Sequence, residues 1–134
     1  MNRVLIIEDQ SDIRRLIRWT LEFESYEIHE AANGPDGLAA ARSLKPDLVL
    51  LDVMMPGGLD GFQVCEQLKA DPDLKGIAVV MLTARSQERD RKAGEQAGAD
   101  AFLAKPFSPM QLVETVSTIL SNHAGATTAA ASAG

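Results

Sequence analysis

Short runs of aliphatic residues alternate along the chain with stretches whose apolar positions recur every three or four residues. Val4-Leu-Ile-Ile7 is the first run, stopped by Glu8-Asp9. Ser11 then reads as an N-cap, with Ile13, Leu16, Ile17, Thr20 and Leu21 at helical spacing. Tyr26 to Ala31 predicts a second strand, less apolar and therefore nearer an edge. Asn33-Gly34-Pro35 opens a helix with Leu38, Ala41 and Leu44 inward, and Lys45-Pro46-Asp47 ends it. Leu48-Val-Leu-Leu51 is the third strand, ending on Asp52. After the glycine-rich loop Pro56 to Gly61, Phe62, Cys65 and Leu68 mark the face of a third helix. Ile77 to Leu82 predicts a fourth strand ending on Thr83, Ser86 to Ala97 a polar helix, and Gly98 its C-terminal cap. Ala101 to Ala104 is a short fifth strand running into Lys105-Pro106. Ser108-Pro109-x-Gln111 is a capping box with proline at the first helical position, followed by Leu112, Val116 and Leu120.

Strand–helix units in strict alternation predict an α/β domain with a parallel sheet covered on both faces. The near-continuous apolar strands agree, because strands buried on both sides have no polar face to show.

Composition adds bounds. With 134 residues, 46% hydrophobic and 24% charged, the length suits one compact domain. We expect the domain to span residues 1–121. The small-residue tract 122–134 reads as a disordered tail or linker stub, with helical continuation through its alanines as the alternative. No apolar run approaches a membrane span, and Met1-Asn2-Arg3 leads straight into the first strand rather than into a signal peptide, so a cytoplasmic protein is expected. Thirteen Lys+Arg against 19 Asp+Glu leave a net charge of −6, which repels phosphate backbones and argues against direct nucleic-acid binding. One cysteine, Cys65, excludes an internal disulfide, and two histidines, His29 and His123, exclude most catalytic zinc sites. Cys65 reads as a buried helix residue, and the histidines as incidental.

The placement of the polar residues says more than their number. Four apolar strands end at a reactive group: Glu8-Asp9, Asp52, Thr83 and Lys105. In a parallel sheet these carboxyl ends share one edge, the edge at which open α/β sheets bind ligands. Topology thus gathers three carboxylates, a hydroxyl and an ammonium. Clustered carboxylates repel one another unless a cation sits among them, and hard oxygen ligands without His or Cys suit Mg²⁺. Mg²⁺, lysine and a hydroxyl form a phosphoryl-stabilising set beside which an ionised aspartate can attack phosphorus.

These motifs, namely Glu8-Asp9, Asp52 within Leu-Asp-Val-Met-Met-Pro, Thr83-Ala84 and Lys105-Pro106-Phe107, resemble the receiver domain of two-component response regulators, chemotaxis regulators included. The resemblance runs from about Arg3 to Leu120. It implies a flavodoxin-like three-layer α/β/α fold with strand order 2-1-3-4-5. It also implies Mg²⁺-dependent phosphotransfer to Asp52 from a sensor histidine kinase or a histidine phosphotransfer protein, with Mn²⁺ able to substitute. Asp9 and Asp52 would hold the metal with the Met54 carbonyl, and Glu8 would act largely through water. Lys105, Thr83 and the Ala84 amide would take the phosphoryl oxygens, and Phe102 stands at the family's switch-aromatic position. The resemblance further implies a cis Lys105–Pro106 peptide. The protein would be a signalling phosphoacceptor that catalyses only its own phosphorylation and dephosphorylation. It would switch a docking face for a protein target or fused output domain, as a monomer or through weak phosphorylation-dependent association.

Two features depart from the family pattern. Met55-Pro56-Gly57-Gly58-Leu59-Asp60-Gly61 carries one residue more than the usual Met-Pro-x-x-Asp-Gly, and the chain after Lys105 has no Lys or Arg for a charged dimer network. An aspartyl-nucleophile phosphatase of the haloacid-dehalogenase type is the rival enzyme. It would want a second aspartate two residues after the nucleophile, where Met54 stands. A degenerate, phosphorylation-independent receiver would not be expected to keep the acidic pair, Asp52, Thr83 and Lys105 together.

Overall fold

A computed structural model describes residues 2–55, 59–83 and 88–133, with backbone only at 88–90 and 123–133. Its elements alternate as the periodicity predicts: β1 (Asn2–Ile7), α1 (Ser11–Glu22), β2 (Tyr26–Ala31), α2 (Gly34–Leu44), β3 (Leu48–Asp52), α3 (Gly61–Ala70), β4 (Ala78–Thr83), α4 (Glu88–Ala97), β5 (Ala101–Ala104) and α5 (Pro109–Ala133). All pairings are parallel and the sheet order is β2-β1-β3-β4-β5, which leaves the least apolar strand, β2, at an edge.

The two-residue period of the strands sorts the core into two layers. Leu5, Ile7, Val49, Leu51, Val79 and Met81 face one side, where Leu38 of α2, Val64, Cys65 and Leu68 of α3 and Ala97 of α4 cover them. Val4, Ile6, Leu48, Leu50, Val80 and Leu82 face the other, under Ile17 and Leu21 of α1 and Leu112, Val116 and Leu120 of α5. Each such aliphatic side chain contributes about 1.5–3 kcal/mol on burial. Because both faces of the inner strands are dry, polar groups can gather only where the strands end.

The helix boundaries show how local chemistry set them. Asn33 Oδ1 accepts from the Asp36 amide at 2.8 Å to cap α2, and Asp60 with Gln63 forms a capping box on α3. Ser108 and Gln111 form the expected box on α5, at 2.9 and 3.1 Å. Gly98 has φ +98°, the left-handed geometry of a helix stop. Ser11 is not the cap of α1. It is the first helical residue, because the Gln10 carbonyl already accepts the Arg14 amide at 3.0 Å, and Gln10 makes no side-chain cap. β1 begins at Asn2 rather than Val4, and β4 runs over Ala78–Thr83 rather than from Ile77. α5 continues through the alanine-rich segment to Ala133, the alternative to a tail from residue 122. Ser86, where α4 was expected to begin, lies outside the described residues, as do Pro56, Gly57 and Gly58 of the lengthened loop.

Candidate phosphoacceptor site

The carboxyl ends of β1, β3, β4 and β5 form one edge, knitted by backbone bonds past the last ladder positions. The Glu8 amide donates to the Ala31 carbonyl at 3.1 Å, the Val53 amide to Leu82 at 3.0 Å, and the Lys105 amide to Thr83 at 2.7 Å. Each functional side chain therefore leaves a position fixed on both flanks.

Lys105 Nζ donates to Glu8 Oε1 at 2.6 Å and to Asp52 Oδ1 at 3.3 Å, so one ammonium bridges residues from β1, β3 and β5. Glu8, Asp52 and Thr83 are buried, and Asp9 is half-buried beside them. Met54 donates its amide to Asp52 Oδ1 at 3.3 Å while its side chain stands 64% exposed above the site. The Lys105–Pro106 peptide is cis, as the resemblance implies.

The charges do not balance: three carboxyl groups cluster here, and Lys105 bonds to two of them. Burial, and next the neighbouring Asp52, push the Glu8 carboxyl up to about 8, against the pull of Lys105. Burial works against the Lys105 ammonium, yet its bond to Glu8 and the nearby negative charges outweigh that and raise its pKa. Carboxylate oxygens of Glu8, Asp9 and Asp52 lie within 4.8 Å of one another, and Glu8 Oε2 is buried without a hydrogen-bond partner among the described residues. An orphaned buried oxygen amid three hard donors is what a small divalent cation would satisfy, so the residues present fit Mg²⁺.

Not every expected residue meets here. Ala84 lies outside the described residues. Phe102 turns away from the acidic cluster and packs against the α3–α4 side of the core, its ring over Gly94 of α4. A Cβ on Gly94 would come within 2.3 Å of that ring, so this contact requires glycine. Gly61 is similarly required, since its Cβ would lie 2.3 Å from the Asp52 carbonyl oxygen. That close approach, with the Gly61 amide bonded to Val53 at 2.9 Å, seats the start of α3 beside the site.

Sequence reasoning missed Arg14, whose guanidinium donates to the Glu8 carbonyl at 2.8 Å and pairs with Glu30 at 3.0 Å. It anchors the acidic loop from below. Its position on the same helical face as Arg18, which also reaches Glu30, was the available signal.

A three-layer α/β/α sheet carrying this acid–lysine edge defines a receiver-type phosphoacceptor fold. The chain belongs to the response regulator receiver domain family, which matches residues 4–117. It is 42% identical over 118 residues to the transcriptional regulatory protein ResD of Bacillus subtilis (strain 168), covering 88% of this chain and 48% of that protein. It is 41% identical over 119 residues to the transcriptional regulatory protein SrrA of Staphylococcus aureus (strain NCTC 8325), covering 89% of this chain and 48% of that protein. The chain thus spans about half the length of the curated relatives it matches. Among solved structures, a putative response regulator from Chloroflexus aurantiacus J-10-fl superposes with TM-score 0.85 at 34% identity, covering 90% of this chain and 98% of its own. Vibrio cholerae chemotaxis protein CheY4 gives 0.84 at 31%, covering 89% and 98%.

Proposed function

We propose that Asp52 accepts a phosphoryl group from phosphohistidine of a sensor kinase or histidine phosphotransfer protein, in a Mg²⁺-dependent reaction. The observation that carries the reading is Lys105 bridging Glu8 and Asp52 at a buried strand edge with an excess of carboxylate. An Asp52 oxygen attacks phosphorus, the P–N bond to the donor imidazole breaks, and an acyl phosphate forms. Mg²⁺, held by Asp9, Asp52 and the Met54 carbonyl with Glu8 behind, would neutralise the carboxylates and the incoming phosphoryl charge. Mn²⁺ offers the same hard-ligand chemistry. Lys105 then exchanges a carboxylate for a phosphoryl oxygen, a charge-assisted contact, and Thr83 with the Ala84 amide takes another.

Output follows from what those contacts move. Thr83 shifting toward the phosphoryl group leaves room beside β4, and Phe102, already seated on α4, is the side chain able to respond. The α4–β5–α5 face then differs between two states and docks a downstream protein or a fused output domain. The reading implies a cytoplasmic signalling protein whose catalysis is confined to its own phosphorylation and dephosphorylation. No helix among the described residues is long and apolar enough to cross a membrane.

Acetyl phosphate with Mg²⁺, followed by intact mass, tests this. The wild-type chain should gain one phosphoryl group and Asp52→Asn none. Equal labelling of Asp52→Asn would refute the assignment. Lys105→Ala should accept the group yet fail to convert it into any change at Phe102, read by ring NMR shifts.

A further inference from the structure

The Glu8–Asp9 peptide joins two of the three clustered carboxyl groups. A planar peptide fixes the relative placement of the α-carbons it links, so its tilt governs how the two carboxylates are aimed at each other. This peptide lies beyond the strand ladder, whose last β1–β2 pair is Ile7 with Ala31. Glu8 is nevertheless held on two sides. Its amide donates to the Ala31 carbonyl at 3.1 Å, and its carbonyl accepts Arg14 Nη1 at 2.8 Å. Arg14 also closes the loop from α1, its amide donating to the Gln10 carbonyl at 3.0 Å. Asp9 is half-buried, and its carboxylate has no hydrogen bond among the described residues. Its aim therefore depends on the backbone that Arg14 holds.

The guanidinium is itself fixed. Arg14 Nε donates to Glu30 Oε1 at 3.0 Å, and the arginine side chain is only 20% exposed. Arg18 donates to the other Glu30 oxygen at 2.7 Å and to Glu22 at 3.2 Å. Two arginines thus meet two glutamates, so the clamp brings no net charge to the acidic site. A planar fork suits this task, since one side chain can serve the Glu8 carbonyl and the Glu30 carboxylate at fixed angles. Given the Mg²⁺-dependent function proposed above, on which this rests, we propose that Arg14 and Glu30 are positioning residues for the metal site. They pre-align Glu8 and Asp9 and so raise cation affinity, without touching the cation or the phosphoryl group. Outer partners of this kind matter because ligands already aimed lose less freedom on binding.

The sign of one substitution separates positioning from bare charge. Arg14→Met deletes a positive charge near a cation site, which on electrostatics alone would tighten Mg²⁺ binding. Loss of positioning instead weakens it, by about tenfold. Calorimetric titration with Mg²⁺ and the Mg²⁺ dependence of the melting temperature, both without phosphodonor, should show that weakening. In acetyl phosphate labelling, half-saturating Mg²⁺ should move by the same factor, with the rate at saturating Mg²⁺ changed by less than about twofold. Glu30→Gln leaves the Glu8 contact available and should weaken Mg²⁺ binding by a smaller factor, which keeps the test open should Arg14→Met unfold. Unchanged or tighter Mg²⁺ binding in either folded variant, beside a wild type that binds it, overturns the positioning role alone, as does a saturating rate that falls as far as the affinity. A wild type that binds no Mg²⁺ overturns the phosphoacceptor reading as well.

Discussion

Two lysine–carboxylate clusters sit at opposite edges of the same sheet, and they are built on opposite principles. At the amino ends of β4 and β5, Lys69 Nζ donates to the Ile77 carbonyl at 2.7 Å, the Lys75 carbonyl at 3.3 Å and Asp100 Oδ2 at 3.1 Å. Asp100 in turn accepts the Val79 amide at 2.7 Å. One cation faces one anion, and the remaining polar partners are backbone groups that would otherwise lack a bond. At the carboxyl edge, Lys105 bonds to two of three clustered carboxylates, and Glu8 Oε2 has no hydrogen-bond partner among the described residues. The first cluster closes the end of α3 onto the sheet. The second holds its charges unbalanced, which under the proposed function leaves capacity for a cation and a phosphoryl group. Similar side chains therefore stabilise in one place and are kept under electrostatic tension in the other.

The sharpest way to break the comparison is to disable each cluster in turn. Asp100→Ala strands the Val79 amide and removes the carboxylate partner of Lys69, and it should cost about 2–3 kcal/mol in urea unfolding, with Asp52 labelling unchanged. Glu8→Gln should act in the opposite direction. It replaces a buried carboxyl forced above its ordinary pKa by a neutral isostere, so the metal-free protein should gain about 1–2 kcal/mol. The same variant should lose most of the melting-temperature rise that Mg²⁺ gives the wild type.

Acidity gives a second, smaller contrast. The Glu8 carboxyl titrates near 8 in the fold and near its ordinary 4.5 when unfolded, so between those values the folded state holds a proton that the unfolded state has released. In EDTA the stability supplied by this group is greatest below the ordinary value and falls as pH rises toward 8. Chemical denaturation of wild type against Glu8→Gln from acid to mildly alkaline pH should show that slope in the first and its absence in the second. The smallest expected effect concerns the exposed residue over the site. Met54→Asn should shorten the phosphorylated lifetime a few-fold, under about 1 kcal/mol of barrier, by placing a polar group where water approaches. An unchanged decay of labelled protein would remove Met54 from the hydrolytic step.

The contrast also explains what was legible beforehand. β1, β3 and β4 announce themselves because strands buried on both faces must be continuously apolar, and their terminal Glu8, Asp52 and Thr83 stand out as breaks in that run. The capping boxes at Asp60 and Ser108 are local chemistry, visible within four residues. The Lys69–Asp100 clamp was not foreseen, since a lysine near the end of a helix and an aspartate in a turn look like solvated charges until the sheet brings them together. Nor was the Gly94–Phe102 contact, because a glycine inside a helix carries no trace of the ring that needs its missing side chain. Ser11 misled as a cap because Ser is a common capping type, whereas the chain direction fixed by Glu8 and Arg14 started the helix one residue sooner.

The bond between Lys105 and Glu8 joins residues 97 positions apart. The inner strand β1 is also the first to be synthesised, and it must wait for β3 before it has both neighbours. The hydrogen-bonded acid–lysine edge is then completed only when β5 docks. A nascent chain holding β1 to β4 can bury much of its core yet lacks the ammonium that ties the acidic cluster, so phosphoacceptor competence should arrive late, after most of the protection against hydrogen exchange. A partly made regulator of this design is therefore mute: it cannot take a signal before its last strand is in place.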